Sequence, residues 1–335
     1  MKNENHQIAK VFSECREKAM LNTNDCFTPN CNEKSINSHI LQRNGILSSI
    51  AIDNHLWALK VDDFKLPFVE FKRIGLKKIY TYLGFCNPHD DKLFKKIETQ
   101  DLDFDDYETN LLFTLRTICN EIWLKKVAIK THNCIINSEL LIDRKNLKDG
   151  IAQNEIAIKD LSFFENYIWK DLKENTKSFT FRFREISKQE ICLNAILTYE
   201  TTQEIIEFIK KNGAQIDRLS SIFISFFPYK NKSILMMGYH NDDEKKVKSF
   251  VNEFFIENEK RVERKITNLI LFHCETWVCS DKFHNDKIKG LEELFFKAIT
   301  FFPSEIKNER NIFDINLFDN KFSEKFKIWH KKHNG

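Results

Sequence analysis

Cys26 and Cys31, in the stretch CFTPNC, are two thiols separated by four residues. At that spacing one loop can present both sulfurs to a single tetrahedral zinc ion. Cys86 and His89, in CNPH, offer a thiol and an imidazole two residues apart, directly before a helical pattern. Pro29 and Pro88 mark both pairs as turns. A loop cysteine at 26, beside Asp25 and Pro29, belongs to no apolar pattern. Cys119 differs, because it sits in the series Leu112, Leu115, Cys119, Ile122, where a thiol behaves as a small hydrophobe. We expect Cys26, Cys31, Cys86 and His89 to hold one structural Zn2+, which would add folding free energy to a loop-rich region.

A cysteine pair, a strand ending in Ser38-His39, and a C-x2-H pair opening a helix form the plan of a treble-clef zinc site. Over residues 20–100 this pattern resembles the HNH (ββα-metal) nucleases that carry a structural zinc. The resemblance implies a catalytic role for His39 as the general base that activates water, with Ser38 at the adjacent metal-ligand position. It places Asp90 as a catalytic ligand for Mg2+ or another divalent ion, and Asn87 near the motif's central asparagine. DNA or RNA would be the substrate, and a role in bacterial anti-phage defence follows by analogy. The pattern departs from the family at Ser38, at Phe94 in place of a second metal-binding histidine, and in an insertion around 43–70. Each catalytic residue also has a structural alternative. Asp90 suits the N-cap of the helix that follows it, and His39 suits a half-buried strand residue or a substitute zinc ligand. A non-catalytic binding or assembly protein with a purely structural zinc is the second reading.

The elements that must position these groups follow from periodicity. Residues 5–20 predict a helix with Ile8, Val11, Phe12 and Cys15 on one side. KSINSHIL and HLWALKV read as strands, with a helical turn or two between them at ILSSIAI. FVEFKRIGLKKIYTYLGF reads as a hairpin turning near Gly75, and DDKLFKKIE as a short helix. Helices are expected over 107–130 and 152–175. Beyond 178, SFTFRFREI and ICLNAILTYE form a possible strand pair, while SIFISFFPY and KSILMMGYH form a hairpin. EKKVKSFVNEFFIENEK and KGLEELFFKAIT predict helices, and ITNLILFHC a buried strand. The expected fold class is α+β: an N-terminal zinc-bound, HNH-like domain, a helical middle and a C-terminal mixed α/β domain. The expected divisions are 1–22 for an N-terminal helix, 23–100 for the zinc domain, 101–177 for the helical region and 178–335 for the C-terminal domain.

Other groups invite chemistry less strongly. Lys72, Arg73, Lys77, Lys78, Lys92, Lys95 and Lys96, interleaved with Phe71, Tyr80 and Tyr82, could contact phosphates, or simply form solvated faces. Cys274 and Cys279 repeat the C-x4-C spacing beside His273 and His284, but no second ligand pair follows them. His-Asn-Asp occurs at His240 and His284, where turn and cap chemistry explains it. Arg116 and Glu121 suit an exposed or interface face of the central helix.

The 335 residues carry 52 basic and 49 acidic side chains, for a net charge of +3. That balance neither requires nucleic acid nor excludes it, since binding depends on a local patch. With 42% apolar and 30% charged residues the chain is a folding one rather than a disordered one. The opening MKNENHQIAK lacks the apolar core of a signal peptide. No apolar run approaches the roughly 20 residues of a membrane span, so we expect a cytoplasmic protein with no membrane partner. The nine cysteines, an odd number, are assigned to metal or burial rather than to disulfides. A protein partner subunit is compatible with this sequence.

Overall fold

Asp106 caps the helix that begins at Tyr107 by accepting a hydrogen bond from the Thr109 N–H at 2.7 Å. The computed structural model describes residues 2–61, 69–140, 143–213, 218–274, 276–299 and 314–333. These residues form a mixed α and β structure. Its elements, in chain order, are α1 (Lys2–Asn22), β1 (Asn37–His39), β2 (His55–Val61), β3 (Val69–Gly75), β4 (Thr81–Leu83) and α2 (Asn87–Phe94). The long helices α3 (Tyr107–Ile136) and α4 (Arg144–Glu174) follow. The remainder comprises β5 (Phe179–Ser187), β6 (Ile191–Thr198), α5 (Thr202–Asn212), β7 (Ser221–Tyr229), β8 (Lys232–His240), α6 (Glu244–Ile256) and α7 (Glu259–Asn268). It ends with β9 (Trp277–Cys279), α8 (Asp281–Phe283), α9 (Glu292–Ile299) and α10 (Phe322–His333).

Two compact units divide the chain. The first gathers residues up to Gln42 and from Tyr80 to Ser178; the second gathers Arg43–Val61, Val69–Ile79 and the chain from Phe179 onward. The units therefore interleave in sequence, with residues 43–61 and 69–79 belonging to the unit that resumes at Phe179. Residues 62–68 of the expected insertion lie outside the described residues.

In the first unit α3 packs against both α1 and α4. Leu111, Leu112, Phe113, Leu115, Ile118, Cys119 and Ile122 are all buried, and so are Asn110, Thr114, Arg116, Thr117 and Asn120, so the first half of α3 is covered on nearly every side. Asp171, near the end of α4, is buried. It accepts hydrogen bonds from the hydroxyls of Tyr107, Thr176 and Ser178 and from the Ser178 N–H. Asn175 closes the helix in the left-handed conformation, at φ 53°. Burial would raise the Asp171 carboxyl, but its hydrogen-bond donors outweigh that and hold it below the usual value.

The second unit is built on a seven-stranded sheet of order β3-β2-β9-β6-β7-β8-β5, with antiparallel neighbours throughout. Its core joins Leu193, Ile224, Leu235 and Met237 from the sheet to Val247, Phe250, Val251, Phe254, Val262, Ile266, Phe295 and Phe326 from the helices. Lys230, at φ 53°, turns β7 into β8 in a two-residue loop. Gly238 faces Phe181 across the β5–β8 ladder, and a Cβ there would lie 2.3 Å from the Phe181 ring.

Two expectations about strand pairing and one about element type fail. Gly75 does not turn one hairpin: β3 pairs with β2, while β4 pairs with β1. β5 pairs with β8 and leaves β6 to β7 and β9. The apolar run ITNLILFHC is not a strand but the end of α7 and a helical turn over Leu269–His273, with Leu269, Ile270 and Leu271 buried. A short continuous apolar run fits a buried helix and a buried strand equally well.

Two outcomes follow. Gly238→Val should lower stability by about 1–3 kcal/mol, read as a fall in the denaturant midpoint, because the Phe181 ring must leave its place. Asp171→Ala should lower it by roughly 2–4 kcal/mol, since several buried donors lose their acceptor. The folded Asp171 carboxyl lies below its unfolded value, so its stabilisation is complete above about pH 4 and vanishes as pH falls through the folded value. The Ala variant should accordingly show a shallower loss of stability on acidification than the parent protein.

Candidate metal centre

The first ligand pair is held by a turn. Cys31 donates its N–H to the Thr28 carbonyl at 3.1 Å, with Pro29 second in the turn and Asn30 left-handed at φ 63°. Proline followed by a left-handed asparagine is a combination that such a turn favours. The second pair opens α2: Cys86 is its N-cap residue and Pro88 lies in its first turn. Between the pairs, β1 and β4 form a two-stranded ladder, with Ser38 opposite Tyr82 and His39 opposite Thr81.

Backbone bonds lace the two loops together. The Phe27 N–H donates to Gly84 at 2.9 Å, and the Ile36 N–H to Phe85 at 2.8 Å. The Cys86 N–H donates to the Cys26 sulfur at 3.3 Å. Phe85 is fully buried, with its ring 6.2 Å from Phe27 and 4.9 Å from Phe94. Gly84 permits this crossing, because a Cβ would stand 2.4 Å from the Tyr82 ring.

The result is a cage. The ligand atoms of Cys26, Cys31, Cys86 and His89 all lie within 4.8 Å of one another. Cys31 and Cys86 sulfurs are 3.9 Å apart, and His89 Nδ1 is 3.6 Å from the Cys26 sulfur and 3.1 Å from that of Cys86. A tetrahedral zinc, with Zn–S near 2.3 Å and Zn–N near 2.0–2.1 Å, requires edges of about 3.8 Å between sulfurs and about 3.6 Å from sulfur to nitrogen. The cage therefore fits a metal such as zinc. Among the described residues no other group of three or more His, Cys, Asp or Glu side chains converges in this way.

Electrostatics point the same way. Burial would raise the Cys26 thiol, but the Cys86 N–H and hydrogen bonds from Thr28 bring it down to about 6. Burial and the neighbouring cysteines hold Cys86 above its usual range. Sulfurs this close repel once ionised, and a cation is what reconciles them.

His39, half-buried at the end of β1, is outside this cage. Strand alternation puts its side chain on the face opposite Ser38 and Tyr82. Ser38 is fully buried, and its hydroxyl accepts a hydrogen bond from the Phe85 N–H at 3.3 Å. Asp90 is not an N-cap, since Cys86 holds that place; it lies in the first turn of α2. One Asp90 carboxylate oxygen is buried without a hydrogen-bond partner among the described residues, and so is the Tyr82 hydroxyl. Burial, and the nearby Cys119, raise the Tyr82 phenol well above its ordinary value. Phe94, one turn beyond Asp90, is a core residue beneath the Arg116 guanidinium, at 4.1 Å. Asn87 is exposed.

The other sequence candidates are placed as follows. Arg116 is buried, correcting its expected exposure, and pairs with Glu98 at 2.6 Å. Lys72 pairs with Glu70, Arg73 with Asp281 and Asp53, and Lys96 with Asp106 and Glu108, so at least three of the seven basic residues of the expected cluster are in ion pairs. Cys279 is buried in β9, opposite Trp57 and Ile191. The His240 side chain accepts from the Asp242 N–H, and His284 stacks on Trp57 at 3.7 Å. Tyr82, expected beside the basic residues on a phosphate-contacting surface, is buried instead, and nothing in a strand sequence reports its unpartnered hydroxyl. Sequence reasoning missed a disulfide between Cys15 and Cys134. Those residues share no motif, and only the packing of α1 on α3 brings them together.

No protein-family model, curated protein or solved structure matches the chain. If the cage holds its metal, elemental analysis of purified protein should give about one zinc per chain. Cys86→Ser should lower metal content severalfold or more and reduce thermal stability.

Proposed function

We propose that the chain is a zinc-stabilised treble-clef protein whose metal maintains structure and whose role is binding or assembly. The observation that carries this reading is the closed Cys3His cage, in which all four corners are protein atoms. A structural zinc site is complete in this way, whereas a catalytic one keeps a position open for water. Two family positions for a hydrolytic ion are also used otherwise: Ser38 is buried on the Phe85 N–H, and Phe94 is in the core. In this reading Cys26, Cys31, Cys86 and His89 would hold Zn2+, which fixes the two loops on β1, β4 and α2.

The unpartnered oxygen of Asp90 favours a second reading, an HNH-like nuclease. There His39 would take a proton from water, and Asp90 would help to hold Mg2+ or a similar ion. That ion would stabilise charge on the scissile phosphate of DNA or RNA. A role in anti-phage defence belongs to this second reading alone.

A cleavage assay separates the two. With plasmid or single-stranded substrate and Mg2+ or Mn2+, the binding reading expects no cleavage by the parent protein beyond that of His39→Ala. Cleavage that falls by roughly 10²–10⁴ in His39→Ala would instead establish the nuclease.

A further inference from the structure

α1 is attached to its unit by a narrow contact. Of its described side chains, only Cys15 and Ala19 are buried; Met20 and Leu21 are 40% and 64% exposed. Ile8, Val11 and Phe12 are half-buried. So small a buried stripe contributes little apolar stabilisation. At the C-terminal end of α1 the chain is anchored firmly: the Trp123 indole donates to the Thr23 carbonyl at 2.7 Å, in a buried bond. Lys130 adds a bond to the Asn22 carbonyl at 2.7 Å. Two helical turns back from that anchor, the Cys15–Cys134 disulfide ties α1 to the last turn of α3, across 119 positions of sequence. These two sulfurs stand apart from the metal cage, whose members are other cysteines.

We propose that Cys15 and Cys134 are a reversible redox clasp that locks α1 onto α3. Oxidised, the clasp holds the helix in the position described; reduced, it leaves α1 free to swing about the Thr23 anchor. The chemistry needs a small disulfide of the glutathione class as oxidant. Cys134, which is half-buried, is the accessible partner, whereas Cys15 is 5% exposed. The Cys134 thiolate attacks one sulfur of the small disulfide, whose S–S bond breaks and releases one thiolate. The Cys15 thiolate then displaces the second. Two electrons pass from the cysteine pair to the small disulfide, and the two cysteine protons end on the released thiols. Reduction reverses these steps, with attack at the Cys134 sulfur. The anchor at Thr23 insulates the metal loop, which begins three residues later at Cys26. A released α1 therefore leaves the cage in place. This clasp does not depend on which metal the cage holds.

The test uses the full chain, equilibrated in glutathione buffers from oxidised to reduced. Hydrogen–deuterium exchange is followed by mass spectrometry, alongside Cys15→Ser and Cys134→Ser variants. In oxidised buffer a peptide pair linked through Cys15 and Cys134 should be recovered and α1 should exchange slowly. In reduced buffer, and in both variants under either condition, residues 7–18 should exchange about tenfold faster or more. Residues 80–94 should not change. Three outcomes overturn the proposal: no linked pair at any glutathione ratio, α1 exchange that is the same in all states, or a loss of protection over 80–94 that accompanies reduction. The last would make the bond a staple for the whole unit. Reduced parent protein and the two variants supply independent arms, so a variant that fails to fold does not decide the matter.

Discussion

Three sulfurs and one imidazole nitrogen converge on a space a single ion would fill, and they come from loops sixty positions apart in the chain. Such a gathering works against itself unless a cation is present, because each thiol that ionises raises the cost for the next. The local structure of the first unit is arranged around that constraint. The Pro29–Asn30 turn aims one pair, the start of α2 aims the other, and the β1–β4 ladder keeps the two loops in register. From Phe85 the packing runs to Phe94 and on to Arg116 and Glu98, so the cage is continuous with the core of the unit.

The same packing decides what the surroundings can do. Ser38 and Phe94, the positions at which an HNH-like ion would be sought, are fully buried and engaged with backbone or core. His39 faces away from Ser38 and Tyr82, while Asp90 sits in the first turn of α2 with one oxygen buried. A buried carboxylate oxygen and a buried phenol without partners are unusual in a folded chain, since each forgoes a hydrogen bond available in water. They are two of several buried polar atoms in this unit without a hydrogen-bond partner among the described residues.

How much of this was legible in the sequence depends on range. Cys26, Cys31, Cys86 and His89 could be named because proline-marked turns and cysteine spacing are local signals, and local signals survive without coordinates. The long helices were legible for the same reason, from the apolar period around Leu112, Cys119 and Ile122. Strand partners were not. Nothing within FVEFKRIG says that it pairs backward with HLWALKV, or that SFTFRFREI reaches past its neighbour to β8. ITNLILFHC was misread because its centre, Leu269–Phe272, is apolar at every position and has no period to distinguish helix from strand. The pairing of Cys15 with Cys134 is hidden for the most general reason: it belongs to the packing of two helices whose sequences do not mention each other.

The interleaving of the two units has a consequence for synthesis. Trp57 of β2 and Asp281 of α8 share a 2.6 Å hydrogen bond across 224 positions. At ordinary translation rates β2 and β3 therefore wait roughly 10–45 s for the strands that complete their sheet. Throughout that interval the hairpin carries an open edge and an uncovered apolar face on a nascent chain, which is when strands are most prone to pair wrongly. Folding of the second unit cannot finish until the residues around Asp281 have been made. A ribosome-associated chaperone that shields this early hairpin would therefore affect yield more than one acting on the finished protein.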